Sequence, residues 1–269
     1  TRHQYAVENR CCVREAGPRP ASGRALACSA ATRYQLDLNR SHSDLSVMPQ
    51  STLDPAEIEK FSALAAEWWN PKGPFGALHR LNPIRLQFIR DEVVRHFGTE
   101  PRRPLSGLRV LDLGCGGGLV SAPLARMGGE VTAIDASSEA IGAARAYASQ
   151  AGIPIDFEKT TAEALVERSA QFDLVTALEI IEHVADVKAF LAAASALVRP
   201  GGMLILSTIN RTQKARALAI VGAERILKWA PEGAHDFDKL VTPEEIRAGA
   251  PRIKWNEPVG FVYAPLGAG

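Results

Sequence analysis

The run VLDLGCGGG, Val110 to Gly118, constrains this chain more than any other feature, because an apolar strand breaks there into Gly114, Gly116, Gly117 and Gly118. Glycines in such a run let the backbone reverse within a few residues and approach another group with no Cβ in the way. A strand passing through this turn into a helix from about Leu119 to Met127 opens a βαβ unit. The pattern downstream repeats it: Glu130–Ile134 reads as a strand ending in Asp135, and Ser138–Ala151 as a helix. Ile155–Lys159 is short and extended, and Phe172–Leu178 is an apolar strand. Val187–Val198 reads as a helix stopped by Pro200-Gly201-Gly202, and Met203–Thr208 as a further strand. This alternation predicts an α/β fold, a doubly wound, Rossmann-like parallel sheet with right-handed crossovers.

Two helices are expected ahead of that sheet. From Pro55 to Trp69, Ile58, Phe61, Leu64, Ala65 and Trp68 recur at three- and four-residue steps, with Asp54 and Pro55 as cap and first-turn residues. The segment NPKGP ends the first helix. Asn82-Pro83 opens a second, with Ile84, Phe88, Ile89 and Val93 on its buried side. Residues 48–103 thus form a helical cover beside the ligand edge of a sheet domain spanning 104–269. A long connection at about 210–237 contains ALAIVGAERILKWAP, an apolar stretch with interspersed Lys and Arg. It reads as a lid, either an ordinary one or one lying at a membrane interface. His235 and Asp236 close it and border the expected acceptor pocket.

Composition narrows the classes of function. The 269 residues are 46% hydrophobic, enough for a core without metal or disulfide staples, and a net charge of +1 leaves no footprint for nucleic acid. No apolar run approaches the roughly 20 residues that cross a bilayer. Residues 1–47 hold seven Arg, no Lys, four acids and three of the four cysteines, without sustained apolar periodicity. They are expected to lie outside the fold, either as chain upstream of a start at Met48 or as an Arg- and Ser-rich mitochondrial targeting peptide. With only Cys115 in the body, no disulfide framework exists and a reducing compartment is the simpler reading.

The glycine turn has a chemical partner. Asp135 lies 21 residues beyond Gly114, at the end of the next strand, where an acid accepts both hydroxyls of a ribose. The spacing G-C-G-G-G differs from the pyrophosphate fingerprint, and Asp112 suits the zwitterionic end of a methionine rather than a phosphate. A tight turn with no ligand and a nicotinamide dinucleotide site are the competing readings. Cys115 reads as a small buried residue, not a nucleophile.

LDLGCGGG and VTAID resemble the first two motifs of class I S-adenosylmethionine-dependent methyltransferases, and QFDLVTALEIIEHV and LVRPGGMLILST resemble their later ones. More narrowly, EIEKFSALAAEWWNPKGPFGALHRLNPIRLQFI, STINRT and PEGAHDFDKLVTPEE resemble the ubiquinone-biosynthesis O-methyltransferase family, over about Glu57 to Glu245. The paired Trp68-Trp69 with LHRLNPIR is more specific than the glycines. The resemblance implies S-adenosylmethionine as donor, with Arg85, Gly114, Asp135 and Leu178 binding it. It implies polyprenylated catechols and demethylubiquinol as acceptors, in the bacterial cytoplasm at the inner membrane and beside other proteins of the pathway. If residues 1–47 target mitochondria, the matrix face of the inner membrane replaces that location. A soluble phenol or amine acceptor, and a non-catalytic donor-binding module, are the rival functions.

Glu179, Glu182 and His183 follow the strand ending at Leu178, and i, i+3, i+4 spacing puts them on one face if the segment is helical. Two carboxylates and an imidazole can hold Mg2+, which lowers the pKa of a catechol hydroxyl, and the resemblance supports that role. Alternatively His183 is a general base oriented by Glu179 or Glu182, or the group is a surface pair and helix cap. After Ile246 the resemblance weakens, and a shortened or reshaped antiparallel edge of the sheet is expected.

Overall fold

The structure is a computed structural model that describes residues 52–212 and 236–261, together with the backbone of residues 9–13. Its sheet has seven strands: β1 (Asn9–Val13), β2 (Arg109–Leu113), β3 (Glu130–Asp135), β4 (Asp156–Lys159), β5 (Phe172–Leu178), β6 (Val198–Ile209) and β7 (Val259–Phe261). They lie in the order β4-β3-β2-β5-β6-β1-β7. The five from β4 to β6 pair in parallel, while β1 runs antiparallel to both β6 and β7. Chain order reverses between β2 and β5, so their carboxyl ends flank the switch-point crevice where ligands bind in sheets of this type.

Period-two alternation explains why both faces are covered. Leu111, Leu113, Val175, Ala177, Leu204 and Leu206 point to one face, against α5 (Ala162–Glu167) and α6 (Val187–Ala196). Val110, Leu174, Met203 and Ile205 point to the other, with α3 (Ser121–Arg126), α4 (Ser138–Gln150) and Ile89 and Val93 of α2 (Gly76–Phe97). Polar caps fix the helix starts. Ser137, Thr161 and Asp186 accept the backbone N–H of Ala140, Ala164 and Ala189, and Thr242 with Glu245 forms a capping box on α7 (Pro243–Gly249).

Several boundaries differ from the sequence expectation. The first helix, α1 (Pro55–Ala63), stops early, and Ala65–Glu67 is a 3₁₀ turn that lets Trp68 turn inward. α2 starts at Gly76 and runs through Pro83. A proline removes one helical hydrogen bond, and here tertiary packing outweighs that loss: Ile89 and Val93 are buried, and Asn82 Nδ2 donates to the Leu119 carbonyl at 2.8 Å. β6 absorbs Pro200-Gly201-Gly202 through a shift of register opposite Phe172 and Leu174. Gly202 is tightly held there, since a Cβ would stand 2.8 Å from the Asp173 carbonyl. α5 has no counterpart in the sequence reading. Neither has β1, which comes from the segment expected outside the fold and supplies an antiparallel strand between β6 and β7. The lid sequence, including His235, falls outside the described residues apart from Asn210 to Thr212 and Asp236 to Phe237.

Candidate functional site

At the carboxyl end of β2 the chain enters the glycine turn with φ values of +66°, +51° and +82° at Gly114, Gly116 and Gly118. Close approach also demands glycine, though the approaching groups are side chains of this protein. A Cβ on Gly114 would lie 2.0 Å from Ile180 Cδ1, and Cβ atoms on Gly116 and Gly117 would lie 2.4 and 2.3 Å from Trp68. The Trp68 ring is buried, stacks on Phe75 at 3.7 Å, and carries an Nε1 with no hydrogen-bond partner among the described residues. Trp69 Nε1 donates to the Gly117 carbonyl at 2.9 Å, and its ring stacks on Tyr147 of α4. The helical cover is therefore pinned directly onto the turn.

Below the turn sits a buried polar group. Asp112 Oδ2 accepts from Ser121 Oγ at 2.6 Å, and Oδ1 accepts from Thr176 Oγ1 at 2.8 Å. Burial pushes its carboxyl up to about 6, against the opposing pull of these hydroxyls and of Arg85. Arg85 itself is buried. Its Nη2 donates to Asn82 Oδ1 at 2.7 Å, and Nη1 lies 4.0 Å from Glu179 Oε1. Asp135 accepts the backbone N–H of Gly116 and of Ser137, each at 2.9 Å, and burial raises its carboxyl above the usual range. Leu178 ends β5 and packs, partly buried, on the core face shared with Cys115 and Val120. Burial also pushes the Cys115 thiol well up, in keeping with a small interior residue.

The acid–histidine segment departs from the expected single face. Glu179 is left-handed at φ +54°, held so by its N–H to the Ser207 carbonyl (3.0 Å) and by Ser207 Oγ donating to its Oε1 (2.7 Å). Only Ile181–His183 forms a 3₁₀ turn. Glu182 is buried beneath it and accepts from Thr208 Oγ1 at 3.0 Å, while its Oε1 has no hydrogen-bond partner among the described residues. Burial first, and the Glu179 charge second, push Glu182 up to about 8. His183 turns the other way: its Nδ1 lies 3.0 Å from Glu57 Oε2 on α1. Among the described residues no three acids, histidines or cysteines are gathered about a common point. The expected three-ligand Mg2+ set of Glu179, Glu182 and His183 is thus not assembled, because the spacing argument required a helix that the chain does not form.

Comparison with known proteins settles the family. A methyltransferase-domain family model matches residues 111–206. The chain is 50% identical to the ubiquinone biosynthesis O-methyltransferase of Azorhizobium caulinodans, over 80% of this chain and 87% of that one. It is 52% identical to the same enzyme of Sinorhizobium medicae, over 82% of this chain and 91% of that one. The chain belongs to the ubiquinone biosynthesis O-methyltransferase family. Its fold is that of a Synechocystis magnesium protoporphyrin IX methyltransferase solved with SAH bound, with a TM-score of 0.51 and 22% identity over 71% of this chain and 82% of that one. The protein is accordingly a class I methyltransferase with S-adenosylmethionine as donor.

Within this methyltransferase the structure brings Gly114, Asp135, Arg85, Leu178 and the Glu179–His183 segment to one end of the sheet. The sequence reading missed Ser121 and Thr176, the two hydroxyls that hold Asp112, and Glu57, the partner of His183. Asp112 at least left a signal, lying two residues before the first glycine. Glu57 left none, since it is 126 residues from the imidazole it touches.

Proposed function

We propose that this protein methylates a ring hydroxyl of polyprenyl catechols and of demethylubiquinol, with His183 as the general base. One observation carries the reading. Leu113 pairs with Ala177 across β2 and β5, so the glycine turn and the His183 turn leave the sheet side by side. Donor and acceptor would then meet in one crevice. On this reading Gly114 lines the donor, Asp135 accepts the ribose hydroxyls, and Leu178 packs against the adenine or thioether. Asp112 faces the methionine ammonium, and Arg85 orients the methionine carboxylate.

The sulfonium makes transfer a direct displacement. The acceptor oxygen attacks the methyl carbon, the C–S electrons return to sulfur, and the hydroxyl proton passes to His183. Alignment of oxygen, methyl and sulfur supplies much of the rate, and no covalent enzyme intermediate is needed. A bound divalent ion would supply acidification of the hydroxyl. The described side chains do not form the three-ligand set for it.

A bilayer-resident acceptor places the enzyme at the cytoplasmic surface of the inner membrane, near other proteins of the pathway. No described helix is long and apolar enough to cross a membrane, and the basic, apolar sequence between 213 and 230 suits surface contact. The test uses labelled donor and a short-chain prenyl catechol, with and without EDTA. Wild-type turnover persists in EDTA, and His183→Ala lowers kcat by about 100-fold or more. Turnover abolished by chelation, or an undiminished His183→Ala, contradicts the assignment.

A further inference from the structure

We infer that Trp69, on the helical cover, is a positioning residue of the donor site: it holds the glycine turn, and through the turn Asp135, in the shape that receives the ribose. The inference rests on Asp135 acting as the ribose acid, and it adds to that reading a side chain from outside the sheet domain. The cover meets the turn through two neighbouring indoles that do different things. Trp68 lies over the α-carbons of Gly116 and Gly117, and its ring is backed by Phe75, stacked at 3.7 Å and 6°. Trp69 gives that contact a direction.

Gly117 shows how closely the two surfaces fit. Its backbone is not left-handed and would accept a side chain, yet a Cβ there would stand 2.3 Å from Trp68 Cγ. What excludes a side chain at Gly117 is the cover. The Gly117 carbonyl accepts from Trp69 Nε1 at 2.9 Å, and the Trp69 ring is held by stacking on Tyr147 at 9° between planes. His79 Nε2 lies 2.9 Å from the Trp68 carbonyl and ties the indole pair back to α2. The start of α1 is tied by charge instead, Lys239 donating to Asp54 Oδ2 at 2.9 Å and to Glu57 Oε1 at 3.3 Å.

Asp135 is braced on both sides by groups that the cover touches. Its Oδ2 accepts the N–H of Gly116, one residue before the carbonyl that Trp69 holds, and its Oδ1 accepts the N–H of Ser137. Ser137 Oγ in turn lies 2.7 Å from Ser62 Oγ on α1. A carboxylate with a fixed N–H on each oxygen does not turn about its Cβ–Cγ bond, so its remaining lone pairs keep one direction. Without the cover, Gly116 and Gly117 regain the freedom of glycine, and the N–H that orients Oδ2 drifts. Trp69 thus raises donor affinity by preorganisation, without touching the donor.

A double-mutant cycle on the full chain, read by calorimetry with S-adenosylhomocysteine, tests this. Trp69→Phe keeps an aromatic ring against Tyr147 and deletes the N–H. It raises Kd roughly fivefold to twentyfold, on the scale of one buried carbonyl left without its donor. In the Asp135→Ala background the same change raises Kd by less than about twofold, because the group it positions is gone. A role in stability alone would lower the thermal midpoint and leave the Kd of the folded protein where it was. Gly117→Ala, which presses on Trp68 from the other side, weakens binding with the same dependence on Asp135. Wild-type Kd in Trp69→Phe or in Gly117→Ala, or equal fold losses in both backgrounds, overturns the inference while leaving Asp135 as the ribose acid. An Asp135→Ala protein with wild-type Kd overturns the reading of Asp135 first and the role of Trp69 with it.

Discussion

On the donor side of the crevice, the contacts that shape the turn are buried and mostly uncharged: Trp68 against Gly116 and Gly117, Ile180 against Gly114, two hydroxyls on Asp112. On the acceptor side, the contacts are ionic, partly exposed, and join residues 126 and 182 positions apart. The first arrangement is rigid because steric fit leaves no alternative. The second is held by charges that water and salt can weaken, and one of its members, Lys239, has a side chain 39% exposed. The contrast matches the chemistry each side would serve. Every catalytic cycle uses the same donor, whereas the acceptor proposed above would carry a prenyl tail that must enter and leave.

The largest effect should come from disturbing the rigid side. Gly114→Ala imposes a side chain at φ +66° and drives a Cβ into Ile180. Donor affinity should fall at least 100-fold, combining left-handed strain of about 1–3 kcal/mol with the steric displacement. Retained affinity, measured by calorimetry, would show that this turn yields more easily than its packing implies.

Acid should reveal Asp112, and with opposite signs for binding and for stability. Its carboxyl, pushed up to about 6, must be ionised to face a methionine ammonium. Donor Kd should therefore weaken as pH falls below 6, by up to about tenfold per unit. For the protein without donor, a raised folded pKa means stabilisation that is complete below the ordinary aspartate range and lost as pH rises through 6. Asp112→Asn should flatten both profiles. A donor Kd independent of pH between 5 and 7 would remove Asp112 from the site.

The smallest effect belongs to the ionic side. Raising ionic strength from about 0.05 to 0.5 M shortens the Debye length from about 14 to 4 Å. It should lower kcat about twofold while donor Kd stays constant. Equal sensitivity of both parameters would erase the distinction between the two sides.

What could be read from the sequence follows the same division. The glycine turn and Asp135 stand out because a strand, a turn and the next strand lie within one short stretch of chain, whereas Leu178 came only with the family resemblance. The Glu179–His183 segment misled because spacing alone assumes helix, and the chain there takes a left-handed residue and a single 3₁₀ turn. α5 is six residues long, too short for a helical period to stand out. β1 owes its existence to pairing with strands about 200 and 250 residues away, a non-local partnership that five residues of NRCCV do not announce. Glu57 looked like one more polar residue on an amphipathic helix until His183 was placed beside it.

The central claim is that a donor pocket lies over the glycine turn with Asp135 at its ribose end. Titrating the full chain with S-adenosylhomocysteine in a calorimeter tests it most directly. The account predicts one molecule bound per chain, and an affinity reduced about 10- to 100-fold in Asp135→Ala, the cost of losing hydrogen bonds to a charged group. Folded protein that releases no heat with this ligand, or an Asp135→Ala variant that binds it as tightly as wild type, would contradict it.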